Sequence, residues 1–157
     1  MTRQQFSYSK KVLAHFRKPH NLGKIKNADG TGEVGNLSCG DVMKLYIKVE
    51  GDKISDVKFE TYGCAAAIAS SSITTDLVKG KTIEQALAMT NKEVIDSLDG
   101  LPPIKIHCSL LSVDALNEAI YDYLNKNKKA VPEFLEKRHE RVTTLAKMEE
   151  GGQIKID

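Results

Sequence analysis

The stretch Met43-Lys44-Leu45-Tyr46-Ile47-Lys48-Val49-Glu50-Gly51-Asp52-Lys53-Ile54-Ser55-Asp56-Val57-Lys58-Phe59-Glu60-Thr61-Tyr62-Gly63-Cys64 decides the fold. Met43, Leu45, Ile47 and Val49 alternate with Lys44, Tyr46 and Lys48, so an extended chain has one apolar face. Gly51-Asp52 supplies a turn, and Val57, Phe59 and Thr61 then alternate with Lys58 and Glu60. A period of two on both sides of a turn predicts a β-hairpin with one wet face. At Gly63 the pattern changes to a helical one, with Ala65, Ala66, Ala67 and Ala69 followed by Ile73 and Leu77. Small side chains in those first turns predict close approach of the backbone to the sheet or to whatever Cys64 holds. Gly80 ends the helix at its C′ position.

Toward the N-terminus, Glu33 to Asn36 predicts a short edge strand, and Asn21 to Thr31 a loop rich in turn residues. Tyr8 to Lys18 predicts an amphipathic helix stopped by Pro19, with Tyr8, Val12, Leu13 and Phe16 as its apolar stripe. His15 and His20 are expected to be structural or solvated. Toward the C-terminus, Thr82 and Gln85 form a capping box for a helix through Ala88, and Asn91 caps another through Leu98. Val113, Leu116, Ile120, Tyr123 and Leu124 give a long helix from about Ser109 to Asn127, and Pro132 starts a charged one extending to about Glu149. The order predicts an α+β domain over residues 1–130, a three-element sheet with helices on one face. Residues 131–157 form a charged helical extension and tail whose Val131, Phe134, Leu135, Val142 and Leu145 can pack on the domain.

Composition narrows the class. A chain of 157 residues can bury a core without staples, and a net charge of +2 with no basic–aromatic clustering argues against nucleic acid. No apolar run is long enough for a membrane span, and residues 1–28 carry seven basic side chains but no apolar signal core. Three cysteines without secretory signals point to a reducing, cytoplasmic setting, where thiols bind metal or react.

Those cysteines stand at ends of predicted elements. Cys39 precedes the hairpin, Cys64 lies at the strand-to-helix switch, and Cys108 at the start of the long helix. Cys39 and Asp41, two apart in an extended segment, can face one ion, with Gly40 between them removing a crowding side chain. Helix N-termini favour thiolates at Cys64 and Cys108. His107, adjacent to Cys108, is expected to point elsewhere, so Asp41 and His107 compete for a fourth position. Three thiolates with one oxygen or nitrogen ligand suit Zn²⁺ or an iron–sulfur cluster, although no Cys-x-x-Cys is present. Three unrelated buried thiols are the plain alternative. A Cys–His hydrolase would need its nucleophile and base adjacent in sequence, which is poor geometry. Leu101-Pro102-Pro103-Ile104-Lys105 leads into this pair, and its two prolines predict an extended surface strip that a partner can read.

Gly35-Asn36-Leu37-Ser38-Cys39-Gly40-Asp41, Thr61-Tyr62-Gly63-Cys64 and Leu101-Pro102-Pro103-Ile104-Lys105-Ile106-His107-Cys108 together resemble the IscU/NifU-type iron–sulfur cluster assembly scaffolds. Tyr8-Ser9, Lys11-Val12, His15-Phe16 and Ala69-Ser70-Ser71-Ser72 extend the resemblance over residues 8 to about 126. It implies a three-stranded antiparallel sheet and a non-enzymatic scaffold. A transient 2Fe–2S cluster would be held by Cys39, Cys64 and Cys108, with Asp41 or His107 completing it, and Zn²⁺ can take the same site. It further implies a cysteine desulfurase as sulfur donor, apo iron–sulfur proteins as acceptors, and a frataxin-like protein and ferredoxin as helpers. Leu101, Pro102, Pro103, Ile104 and Lys105 would then be the docking strip of a DnaK-type chaperone and its co-chaperone. Homo-oligomers sharing a cluster remain open. Ala65 replaces the glycine that commonly follows the second cysteine in this family. The related SufU-type zinc-binding sulfur acceptors are the alternative, but they carry an insertion between the second and third cysteines and lack the His-Cys pair.

Overall fold

The computed structural model describes residues 7–36 and 40–155. Helix α1 (Lys10–Arg17) is followed by strands β1 (Gly30–Asn36), β2 (Asp41–Glu50) and β3 (Lys53–Tyr62), then α2 (Ala65–Val78), α3 (Ile83–Leu87), α4 (Asn91–Ser97), a 3₁₀ turn (Pro103–Lys105), α5 (Ile106–Lys126) and α6 (Glu133–Lys155). The strands form one antiparallel sheet in the order β1-β2-β3. The predicted hairpin pairs Leu45 with Phe59 and Ile47 with Val57, so its apolar residues share the face that the helices cover. A register shift at Lys48/Val49 ends the regular alternation near the turn.

Two helices fill that face. α2 is buried along nearly its whole length, and its serines and threonines are satisfied locally: Thr74 Oγ1 donates to the carbonyl of Ser70 at 2.7 Å and Ser71 Oγ to that of Ala67 at 2.9 Å. Small side chains allow this helix to lie among α1, α5 and the sheet, as its alanines predict. α5 crosses β1 more closely still. A Cβ on Gly32 would stand 2.2 Å from the carbonyl oxygen of Ala115, and one on Gly30 2.2 Å from that of Ala119. Asp122 of α5 then accepts the Thr31 N–H at 2.9 Å. β1 is accordingly longer than Glu33–Asn36, beginning at Gly30.

The outer edge of β3 is occupied by loops. Phe59 N–H donates to the Asn21 carbonyl at 3.0 Å and Gly23 N–H to that of Phe59 at 2.8 Å, while Ile54 exchanges bonds with Gly80 and Lys81.

Several boundaries differ from expectation for identifiable reasons. Ser9 caps α1, its oxygen accepting from Val12 N–H and its hydroxyl reaching the Leu98 carbonyl. Thr90, not Asn91, caps α4, because its hydroxyl takes the Glu93 N–H. The Thr82/Gln85 capping box forms as predicted. The strip Leu101–Lys105 is not extended throughout: Pro103–Lys105 wind into a 3₁₀ turn, where Pro at the first position costs no hydrogen bond, and α5 follows from Ile106 instead of Ser109. Pro102 is buried, whereas Pro103 and Ile104 are exposed.

α6 packs on α5. Leu135 is fully buried, Val131 and Val142 are partly so, and Phe134 stays half exposed. His139 stacks on Tyr121 with ring centroids 3.8 Å apart and bonds Glu118 Oε2 at 2.8 Å, while Arg138 faces Asp114 at 3.7 Å. The Leu145 side chain lies outside the described residues. No described helix is long and apolar enough to cross a membrane.

Because Gly32 meets backbone and not a movable side-chain end, Gly32→Ala should lower unfolding free energy by about 3 kcal/mol, the upper part of the overpacking range. Denaturant titration measures it. A loss within about 0.5 kcal/mol, the range of neutral surface changes, would contradict the close contact.

Candidate functional site

Four of the five residues singled out in the sequence meet at one end of the sheet. Asp41 opens β2, Cys64 is the N-cap residue of α2, and His107 and Cys108 lie in the first turn of α5. Cys64 Sγ and Cys108 Sγ are 3.7 Å apart, and Asp41 Oδ2 lies 3.6 Å from Cys108 Sγ and 4.0 Å from Cys64 Sγ. His107 Nε2 stands 3.6 Å from Cys108 Sγ, so the adjacent pair points into one site instead of diverging. Early entry into α5 is the cause, since helical geometry places successive side chains about 100° apart instead of on opposite faces. The ligand atoms of Asp41, His107 and Cys108 all fall within 4.8 Å of one another. Cys39, the remaining candidate, lies outside the described residues.

The backbone makes room for the carboxylate. Asp41 is almost fully buried, and a Cβ on Gly63 would stand 2.8 Å from its Oδ1 and 2.9 Å from the Ala67 Cβ. Gly63 therefore lets Asp41 lie against the β3–α2 junction. Among the described residues a Cβ on Gly40 meets nothing within 4 Å, and its φ of +72° is one that L side chains adopt at a cost.

The two thiols divide their charge unequally. The hydrogen bond with Cys108 holds the Cys64 thiol down to about 5, burial opposes this, and the Ala67 N–H at the start of α2 adds to the lowering. Cys108 is pushed far up by donating that bond, with burial and the charges of Cys64 and Asp41 in the same direction. Two thiolates were expected; at 3.7 Å, beside a carboxylate, the pair instead retains one proton on the buried sulfur. A cation entering among these groups would favour release of that proton and supply the missing charge.

Two further residues border the site. The Cys64 charge is the chief reason the Lys105 ammonium titrates above its usual range. Lys105, expected only as part of the docking strip, thus faces the thiolate too. Tyr8 titrates high through burial first, then through the charge of Cys64. Its place beside the site was not legible, because the local sequence shows only an apolar helical stripe. Leu101, Pro102 and Pro103 face Ser7, Tyr8 and Ser9 across a shallow depression of about 410 Å³.

The geometry can be set beside known proteins. The NifU-like N terminal domain family matches residues 7–130. The iron-sulfur cluster assembly scaffold protein IscU 1 of Archaeoglobus fulgidus is 54% identical over 144 residues, covering 92% of each chain. The iron-sulfur cluster assembly scaffold protein IscU of Escherichia coli is 49% identical over 126 residues, covering 78% of this chain and 98% of its own. A crystal structure of the N-terminal part of a nitrogen-fixing NifU-like protein from Brucella abortus superposes with a TM-score of 0.63. It is 21% identical and covers 75% of this chain and 94% of that one, a likeness of fold.

Metal-free protein should alkylate at Cys64 well before Cys108. The Cys64 rate should be flat near pH 7 and fall as pH drops through about 5, where the thiolate is protonated. Cys108→Ala removes the hydrogen bond that stabilises the thiolate, so the midpoint should move up. Peptide-resolved mass spectrometry after iodoacetamide reads both; faster labelling of Cys108 would reverse the assignment.

Proposed function

As the chain belongs to the NifU-like N terminal domain family, we propose that its four converging side chains, together with Cys39, perform the binding step of iron–sulfur cluster assembly. The chain is a scaffold: a cluster is built on it and passed on. The observation that carries the site assignment is the approach of Asp41, Cys64 and His107 to Cys108 within 4 Å. Soft sulfur with one harder oxygen or nitrogen donor suits cluster iron, and a 2Fe–2S cluster is the cargo we assign. Cys39, Cys64 and Cys108 supply sulfur, and Asp41 or His107 completes the set.

A permanent electron-transfer centre of this kind commonly has four thiolates. A scaffold must let go. A buried carboxylate among sulfurs is displaced more readily by an incoming acceptor thiol, so Asp41 sets the ease of departure and His107 can take its place. Sulfur arrives as persulfide from a cysteine desulfurase, and each sulfane atom needs two electrons to become sulfide, which a ferredoxin-type donor supplies. A frataxin-like protein is the further helper we assign, and apo iron–sulfur proteins receive the product. The chain catalyses no turnover of its own in this reading and works in the cytoplasm. Residues 1–130 form the scaffold domain, and 131–157 are an extension docked on it. Zn²⁺ can occupy the same ligands, and a zinc-binding sulfur acceptor of the SufU type would hold it there without building a cluster.

Anaerobic reconstitution with iron, cysteine and a desulfurase tests the assignment. A visible chromophore should form on wild type, move to an apo-ferredoxin, and be sharply weakened by Cys39→Ser, Cys64→Ser or Cys108→Ser. Chromophore unaffected by all three changes would refute the common site. Asp41→Ala should still assemble the cluster but transfer it several-fold more slowly. Equal or faster transfer with a lowered melting temperature would assign Asp41 a folding role alone.

The strip before α5 is assigned to a DnaK-type chaperone with its co-chaperone. Leu101 and buried Pro102 anchor it, while Pro103, exposed Ile104 and Lys105 present it. Ile104→Ala should weaken chaperone binding and leave cluster formation intact. Lost cluster with retained chaperone binding would make the strip a spacer for His107 and Cys108.

A further inference from the structure

A second group of metal-type donors sits at the opposite end of α2. His15 on α1, His20 in the loop after it and Asp76 on α2 each place one nitrogen or carboxylate oxygen within 4.8 Å of the others. Asp76 is twelve residues along α2 from Cys64, about 18 Å at the helical rise, so the two groups are separate.

The donors are held by a shell of polar contacts. His20 Nδ1 lies 2.5 Å from Asp76 Oδ2, and Asn21 Nδ2 donates to the other carboxylate oxygen at 3.1 Å and to Thr75 Oγ1 at 3.0 Å. The buried Ser72 hydroxyl joins the two histidines: it lies 2.7 Å from His15 Nδ1 and accepts the backbone N–H of His20 at 2.8 Å. The imidazoles stand with centroids 4.6 Å apart. The loop that presents His20 is fixed to β3, since the Asn21 carbonyl accepts from Phe59 N–H. An ion pair between His20 and Asp76 would require neither the second imidazole nor the Ser72 bridge. Metal ligands, by contrast, are commonly oriented by hydrogen bonds of this kind.

We propose that His15, His20 and Asp76 form a second metal site, which takes one divalent transition-metal ion of borderline hardness such as Zn²⁺ or Fe²⁺. Two imidazoles and one carboxylate match that class, with water filling the open positions at this partly exposed surface. Mg²⁺ and Ca²⁺ want mostly oxygen donors and are disfavoured. The site is independent of the thiolate site and of any cluster bound there.

Cobalt(II) distinguishes the two. Bound by thiolates it develops strong sulfur-to-metal charge-transfer absorption, whereas nitrogen and oxygen ligands give none. Under anaerobic equilibrium dialysis, the full chain should bind one Co²⁺ more than His20→Ala or Asp76→Asn does. The affinity for that ion should fall at least roughly tenfold in either variant, with the charge-transfer band unchanged. Asp76→Asn is isosteric and provides the reading should His20→Ala disturb the fold. Equal Co²⁺ uptake by wild type and Asp76→Asn would overturn the proposal and leave an ion pair, whether or not the thiolate band develops.

Discussion

The contact of α5 with β1 is the constraint from which most of this architecture follows. Gly30 and Gly32 have no side chain, so the carbonyls of Ala115 and Ala119 lie where Cβ atoms would otherwise be. Leu116 and Ile120 share one core with Met43, Leu45 and Ile47. That approach also fixes the far end of the helix. His107 and Cys108 are rigid continuations of α5, and their distance from Asp41 is set by how deeply the helix beds on the sheet. Burial of apolar surface and construction of the site are thus one event.

Within the site the governing quantity is charge. Two sulfurs and a carboxylate lie within 4.0 Å of one another, with Asp41 and Cys108 buried, so their charges repel if all three ionise. Leaving one proton on Cys108 relieves the repulsion, and Lys105 offsets the charge on Cys64 from outside. A cation placed among these groups would relieve that repulsion further.

Much of this was legible in the residues. The two-residue period of Met43–Val49 and Val57–Thr61 gives the hairpin, because the hydrophobic effect acts on a face and a strand's faces alternate. The convergence of Asp41, Cys64 and Cys108 was legible because they stand at element ends, and ends of elements in a small domain gather on one rim. The joint direction of His107 and Cys108 was not. It depends on whether α5 begins at Ile106 or Ser109, and helix starts are set by competition among caps that sequence weighs poorly. The prolines suggested extension, yet a 3₁₀ turn tolerates them as well. Tyr8 and Lys105 were missed as site neighbours for another reason. Their roles come from long-range packing, which leaves no trace in the residues beside them. The His15, His20 and Asp76 group was hidden in the same way, since each histidine alone is unremarkable.

The loops along β3 carry one more consequence. Asn21 and Gly23 use the free donors and acceptors of Phe59, and Gly80 and Lys81 do the same at Ile54. A scaffold that passes a cluster to acceptor proteins must meet other chains. An open strand edge would invite them to add themselves to the sheet. With Ile54 and Phe59 already paired, a visiting strand finds those two positions of the β3 edge taken.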